Sequence, residues 1–149
     1  MSKARTNARQ AAAQALYQWQ VTDQSITLIE QQFEQPDWAA EWLKDAQKKY
    51  FRELLRGVPE HLDEIDQALS QFVDRPVDAV DPVERAVLRI GTYELLYRLD
   101  MPYRVVINEA INLAKCLGAD GSHKYINGIL DKVAQQKRAI EIAAKKAAN

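Results

Sequence analysis

The segment from Asp81 to Leu95 constrains the fold more than any other part of this 149-residue chain. It opens with a helix-start pattern, in which Asp81 can cap free N–H groups, Pro82 fits the first turn and Glu84 completes a capping box. Apolar residues then occur on two sides of the predicted helix: Val83, Val87 and Ile90 on one, Leu88, Leu95 and Leu99 on the other. Since a helix that is apolar on more than one side is buried between neighbours, we place this helix at the centre of the fold.

The rest of the chain has helical periodicity and lacks the alternation that is typical of strands. We predict about seven helices, over residues 7–21, 26–35, 37–57, 59–72, 82–99, 105–117 and 123–135. Ser25 and Ser122 are predicted caps, Gly57 and Gly118 predicted stops, and Pro59 a predicted first position. The Ala- and Lys-rich tail after residue 135 can continue as an exposed helix. The predicted fold class is all-α.

Composition narrows the class of protein. Apolar residues make up 47% of the chain, which suffices for one domain or two small subdomains sharing a core. There is no apolar run long enough to span a membrane and no apolar signal region at the N-terminus. The single cysteine, Cys116, cannot form an internal disulfide and is expected to be a small buried side chain. These features favour a cytoplasmic protein.

Charge is unevenly distributed along the chain. The net charge of −1 combines about +3 in residues 1–22, −9 in residues 23–84 and +5 in residues 85–149. Segregated charge suggests two faces with different partners. Alternatively, the folded chain interleaves these charges into an ordinary solvated surface.

No group of residues predicts catalysis. The chain has no glycine-rich phosphate loop, and His61 and His123 have no partner at metal-binding spacing. Asp120, Ser122 and His123 are close in sequence, but a helix N-terminus points neighbouring side chains in different directions. We therefore predict no catalytic site, no metal and no cofactor.

Two aromatic residues near basic ones suggest binding instead. Tyr125 and Lys124 lie at the start of the predicted last helix, where a ring can stack on a base and an ammonium group can meet phosphate. Tyr17 lies on the first helix, near Arg5 and Arg9, in a stretch without acids. Alternatively, Tyr125 lies at the edge of the core, and Tyr17 packs on a second neighbour.

The central helix carries a polar stripe at i, i+4 and i+7, formed by Arg85, Arg89 and Thr92. An arginine on a buried helix is either a structural ion-pair partner or a reader of phosphates and bases. Glu94 and Arg98, also four residues apart, are interpreted as a surface pair.

A family resemblance rests on motifs over nearly the whole chain. They are Ala8-Arg9, Gln14-Ala-Leu-Tyr-Gln-Trp19, Tyr50-Phe51, Leu54-Leu55, Gly57-Val58, Val83-Glu-Arg-Ala-Val-Leu-Arg-Ile90, Tyr93-Glu-Leu95, Pro102-Tyr103, Ile107-Asn-Glu-Ala-Ile111, Leu113-Ala-Lys115 and Ser122-His-Lys-Tyr-Ile-Asn-Gly-Ile-Leu-Asp-Lys132. With these motifs the chain resembles the NusB family of bacterial transcription antitermination factors.

The resemblance implies an all-α fold of two packed three-helix bundles, here about residues 1–75 and 76–149, and a non-catalytic role. The family binds the single-stranded boxA element of nascent RNA together with the ribosomal protein NusE. The pair joins RNA polymerase in an antitermination complex, chiefly on ribosomal RNA operons. A free monomer or homodimer is compatible with the sequence.

The resemblance also implies site residues. In the family, the basic N-terminus and an aromatic residue early in the last conserved helix belong to the RNA surface, which here are Lys3, Arg5, Arg9 and Tyr125. The acidic residue opening the fifth helix belongs to the NusE contact, which here is Glu84. We add four further positions to the predicted RNA surface: Tyr17, Arg89, Ser122 and Lys124. The central expectation is that the basic ends and the aromatic residues, Arg9 and Tyr125 among them, share one surface.

Two other functions stay open at this point. The chain can be a protein-binding helical scaffold without RNA contact. It can also be a stand-alone relative of the N-terminal RNA-binding region of ribosomal RNA cytosine methyltransferases, whose longer chains carry a cofactor-binding glycine motif that is missing here.

Overall fold

Helices account for nearly all of the chain that the computed structural model describes, which is residues 3–35 and 43–148. In these residues there are eight α-helices, two short 3-10 helices and no strand. The α-helices are α1 Lys3–Thr22, α2 Ile26–Phe33, α3 Asp45–Glu60, α4 Leu62–Ser70, α5 Pro82–Tyr97, α6 Tyr103–Cys116, α7 His123–Lys137 and α8 Ala139–Ala148. The 3-10 helices are Val77–Ala79 and Asp120–Ser122. The predicted all-α class is confirmed.

The central position predicted for the fifth helix is confirmed in α5. Every residue from 85 to 95 is buried, and α5 packs against α1, α3, α4, α6 and α7. The Asp81 carboxylate accepts hydrogen bonds of 3.1 Å from the backbone N–H groups of Val83 and Glu84. These bonds satisfy two of the donors that a helix start leaves free. The sequence therefore predicted both the start of α5 and its burial correctly.

The helices gather in two groups around one apolar core. In the first group, α1 packs on α2 and α3, and in the second α5, α6 and α7 pack on one another. An alanine-rich side of α1 holds Ala8, Ala11, Ala12 and Ala15 fully buried, which lets α1 approach α3 and α5 closely. The hydrophobic core draws on both groups. The predicted subdomain boundary near residues 75 and 76 stays a prediction.

The predicted end of the third helix is wrong. We expected α3 to stop at Gly57 and a new helix to begin at Pro59, but α3 continues to Glu60. Gly57 is required for space rather than for a left-handed turn: a Cβ there would lie 2.6 Å from the Tyr93 ring. The α3 backbone can therefore approach the Tyr93 side chain of α5. The predicted beginning of this helix near residue 37 lies outside the described residues.

The other predicted helix ends give mixed outcomes. Ser25 caps α2, accepting a 3.1 Å hydrogen bond from the Leu28 N–H group, and Gly118 ends α6 with a φ of 79°. Both predictions are confirmed. Ser122 precedes α7, but its side chain makes no capping bond. The tail is helical, as α8, after a break at Arg138.

Candidate nucleic-acid interface

A polar and aromatic stripe lies on the outer side of α1. Gln10, Gln14, Tyr17 and Val21 follow one another at helical spacing, opposite the buried alanines. Tyr17 is 42% exposed and Val21 55% exposed, which is unusual for such large apolar surfaces on a core helix. Of this stripe only Tyr17 was predicted as a site residue, although the helical spacing of Gln10 and Gln14 from Tyr17 can be seen in the sequence.

A groove of about 440 Å³ lies beside this stripe. Tyr17 and Val21 of α1 form one wall, Val83 and Ala86 of α5 another, and Leu117 closes it at the end of α6. The Tyr17 ring is therefore accessible from one side and supported by apolar side chains on the other. Such a ring can stack on a planar partner with little loss of side-chain freedom.

The starts of α5 and α7 are joined next to this groove. The Ser122 hydroxyl donates a hydrogen bond to the Glu84 carboxylate, which explains why Ser122 does not cap α7. Glu84 does not close the predicted capping box, because it holds Ser122 instead. Lys124 is exposed on the first turn of α7. Three predicted site residues, Glu84, Ser122 and Lys124, are thus brought together with Tyr125.

Tyr125 is half-buried against the core, and its hydroxyl lies 3.4 Å from the Asp74 carboxylate. Burial raises the pKa of Tyr125, and the negative charge of Asp74 adds to this effect. A hydrogen bond from the Arg75 side chain lowers the pKa of Asp74 in turn. The polar partner of the Tyr125 hydroxyl is therefore an acid, Asp74, and not Lys124.

The predicted direct role of Arg9 is corrected by its burial. Arg9 is only 1% exposed, with its Nε 2.9 Å from Glu94 Oε2 and its Nη1 3.5 Å from Glu109 Oε2. The Tyr50 hydroxyl donates to the same Glu94 carboxylate. Burial raises the pKa of Glu94, whereas Arg9 and the Tyr50 hydroxyl act in the opposite direction. Arg9 is a structural ion-pair partner in this conformation and cannot present its guanidinium to RNA.

Arg89 has the same kind of role. Its side chain is buried and binds Asp66 through two nitrogens, at 3.0 and 2.7 Å, and Gln20 at 2.9 Å. The structure therefore favours the ion-pair interpretation that the sequence left open, and the prediction of direct RNA contact is corrected. Arg85 of the same stripe donates to the Asp78 carbonyl at 2.6 Å.

The remaining basic residues of α1 lie at the other end of the molecule. Arg5 is part-exposed, and its Nη2 lies 3.7 Å from Asp100, in the turn that follows α5. Lys3 opens α1, but its side chain is outside the described atoms. Since Glu94 and Glu84 are about 15 Å apart along α5, Arg9 and Tyr125 lie near opposite ends of that helix. Because Arg9 is buried at 1% exposure, it does not contribute an exposed cation to the surface that carries Tyr125.

The sequence did not predict several of the residues that stabilise the contacts between these helices. The interpretation of Glu94 and Arg98 as a surface pair is wrong, because Glu94 is buried with Arg9 and Arg98 binds Glu53 and Asp100. Arg138 is buried and donates hydrogen bonds to four carbonyl groups near the end of α5. These bonds explain why Arg138 lies at the break between α7 and α8.

Cys116, expected to be buried, is exposed at the end of α6 and accepts a 3.4 Å hydrogen bond from Gln10. Cys116 thus contacts Gln10, one of the residues of the polar and aromatic stripe on α1. Within the described part of the chain, no group of three His, Cys, Asp or Glu side chains could hold a metal ion. No helix there is both long and apolar enough to cross a membrane.

Comparison with known proteins decides the family. The NusB family model matches residues 6–135. The transcription antitermination protein NusB of Nitrosococcus oceani is 52% identical over 145 residues, which cover 97% of this chain and 95% of that protein. The chain belongs to the NusB family. The predicted family, antitermination role and non-catalytic function are thereby confirmed.

Solved structures agree with this assignment. T. maritima NusB is 34% identical, with a TM-score of 0.75 over 91% of this chain and 92% of that one. A NusB chain solved with NusE and double-stranded RNA has a TM-score of 0.79 over 91% of this chain and 99% of that one. At 24% identity, the second likeness supports the fold alone. The predicted NusB-like fold is confirmed.

Proposed function

We propose that this NusB-family chain binds single-stranded boxA RNA together with NusE and joins RNA polymerase in an antitermination complex on ribosomal RNA operons. The observation that carries this proposal is the exposed Tyr17 ring, set in a polar stripe of a helix whose other side is fully buried. Recognition of single-stranded RNA relies on rings that stack on splayed bases and on polar groups at their edges. The α1 stripe offers both.

The strand would run along α1. From Arg5 to Tyr17 the helix rises by about 18 Å, so the phosphates of an extended strand would meet Lys3 and Arg5 at one end and a base would meet Tyr17 at the other. Ser122, Lys124 and Tyr125 lie at the start of α7, which the Ser122–Glu84 bond joins to the start of α5 beside the groove, and would meet the RNA farther along. In this arrangement the RNA follows a path between separated contacts, and Arg9 and Arg89 stabilise the helices beneath it.

NusE would contact the start of α5. Glu84 is part-exposed there, and the negative charge of residues 23–84 would attract a basic ribosomal protein. Because Glu84 also holds Ser122, a partner on Glu84 would act on the same turn that carries Lys124 and Tyr125. This connection gives a physical reason for joint binding of the RNA and the protein.

Three further features belong to the proposal. The protein acts in the cytoplasm, consistent with its single cysteine and with its place in transcription. Free of partners, it is a monomer or a homodimer. Its two helix groups form subdomains that meet near residues 75 and 76.

The decisive experiment is a filter-binding titration of boxA RNA and a scrambled RNA of equal length, with and without NusE. The wild-type protein with NusE should retain boxA RNA preferentially. Replacing Tyr17 by alanine should weaken boxA binding by about 1–3 kcal/mol, because a stacked base is worth about that much. Circular dichroism would verify that the variant is folded.

Tyr97→Ala is the matched control, since Tyr97 is a part-exposed tyrosine at the far end of α5 that stacks on His61. It should leave boxA affinity unchanged. Equal retention of boxA and scrambled RNA in the presence of NusE would refute the proposal and favour a protein-binding scaffold. An unchanged affinity of the folded Tyr17→Ala variant would remove Tyr17 from the site.

A further inference from the structure

Helix α8 lies beyond residues 6–135, which match the family model, yet it is held firmly against the fold. The Glu141 carboxylate accepts a 2.9 Å hydrogen bond from the Tyr103 N–H group at the start of α6 and a 2.6 Å bond from Arg138. Ile142 packs against the core. The lysines that follow on α8 therefore occupy defined positions.

These contacts bring two exposed cations, Arg104 and Lys145, to one ring and a third, Lys146, to the adjoining groove. The Arg104 guanidinium carbon lies 5.3 Å from the centre of the Tyr103 ring, and Lys145 Nζ lies 5.8 Å from it. Lys146 and Arg104 line a groove of about 570 Å³ between α6, α7 and α8. We call Arg104, Lys145 and Lys146 the α8 patch. The acids nearby are Asp131, which lines the groove, and Glu141, which is already bound.

The α8 patch lies at the same end of the molecule as the start of α1. Arg5 binds Asp100, and the buried Arg9 lies 3.6 Å from the Met101 sulfur, both in the turn that leads directly into α6. Arg104 follows that turn within four residues. The start of α1 and the lysine-bearing α8, which are far apart in the sequence, are thus both bonded to the segment from Asp100 to Tyr103.

We propose that the α8 patch binds the phosphates of RNA that flanks the recognized element, extending the strand path on α1 past Arg5. The inference rests on the proposed function, because it requires RNA on α1. RNA is the partner that the geometry favours, since the strand proposed on α1 already reaches this end. Three cations on two helices can neutralise successive phosphates without reading bases.

The test compares two RNAs, boxA alone and boxA extended on both sides by about ten nucleotides, a length within single-strand site sizes. The variant is the triple change Arg104→Gln, Lys145→Gln and Lys146→Gln, checked by circular dichroism. For the extended RNA, the slope of log K against log salt should become less negative by about 2, from about 0.7 per phosphate contact. Binding of boxA alone should be unchanged.

The matched control removes the same charge from the start of α3, by Lys44→Gln, Lys48→Gln and Lys49→Gln. An equal change of slope in this control would overturn the inference, because a general loss of charge would explain both. So would a triple variant that binds extended RNA like the wild type, or one that loses affinity only for NusE. If the wild type prefers neither RNA over a scrambled sequence, the proposed function itself fails.

Discussion

Arg9 is the side chain on which the core of this protein depends most. Its guanidinium is buried between two carboxylates, Glu94 and Glu109, and Tyr50 supplies a further donor to Glu94. Burial and the Glu94 charge raise the pKa of Tyr50, so its hydroxyl stays protonated and remains a donor. Removing one partner of such a cluster leaves buried charge without compensation.

Arg9→Ala should therefore reduce the free energy of unfolding by about 3–5 kcal/mol, the usual cost of breaking a buried ion pair. Urea unfolding followed by circular dichroism would measure it. Arg5→Ala, on the same helix but part-exposed, is the control and should change stability by less than about 0.5 kcal/mol. A stable Arg9→Ala variant that fails to bind RNA would restore the direct role that the sequence predicted.

Tyr93 gives the molecule a pH dependence on the alkaline side. Burial, followed by the Glu53 charge, raises the pKa of Tyr93 to about 12 from an ordinary value of 10.0. The folded state then favours the protonated form more than the unfolded state does. This stabilising contribution is complete below pH 10 and is lost as the pH rises to about 12.

Tyr93→Phe keeps the ring against Gly57 and removes the hydroxyl that donates to Glu53. The fall in unfolding free energy above pH 10 should be shallower in this variant than in the wild type. Urea titrations at several pH values would show it. The prediction fails if both proteins lose stability equally over that range.

At the scale of elements, α8 and α6 stabilise each other through one carboxylate. The residue before α6 is Pro102, which has no capping side chain, and Glu141 of α8 supplies the missing acceptor for the Tyr103 N–H group. A negative side chain at a helix N-terminus is also favoured by the helix dipole. The Glu141 carboxylate thus both caps α6 and forms an ion pair with Arg138.

Glu141→Ala should release α8 and lower the unfolding free energy by about 1–2 kcal/mol, as expected for the loss of a helix cap. Hydrogen exchange should become faster in residues 139–148 and in the first turn of α6, while α3 is unaffected. Gln135→Ala, an exposed change near the end of α7, is the control. Unchanged exchange in α8 would show that Ile142 alone holds the helix.

Helix α1 has a buried side and an exposed side. Its alanines Ala8, Ala11, Ala12 and Ala15 are fully buried, whereas Tyr17, which the sequence predicted on the RNA surface, is 42% exposed. Arg9 was predicted on the RNA surface, and its place among the alanines is compatible with either a buried ion pair or an exposed charge. Only the position of Glu94 on α5 distinguishes the two.

At the scale of the whole molecule, the basic and acidic segments of the sequence lie partly in different regions of the fold. Arg5 of α1 and Lys145 of α8 both lie against the segment from Asp100 to Tyr103 that follows α5, and acidic Glu84 lies at the opposite end of that helix. With about four phosphates neutralised, log K for RNA binding should fall with log salt at a slope near −2.8. Titrations at several salt concentrations would measure this slope, and an affinity independent of salt would contradict it.

The sequence alone determined what depends on neighbours along the chain. The Asp81 cap, the left-handed Gly118, the burial of α5 and the all-α class follow from local hydrogen bonding and helical periodicity. The motifs determined the family in the same way, because they are residues in a fixed order.

Only the tertiary structure decided which partners the charged and small residues contact, because those partners lie many positions away in the sequence. Arg9 meets Glu94 across 85 residues, Ser122 meets Glu84 across 38, and Gly57 is needed because Tyr93 packs upon it. A charge at a given helical position can face water or a buried counter-charge with the same local sequence. The energy that separates these states comes from desolvation and pairing between helices, which no local pattern contains.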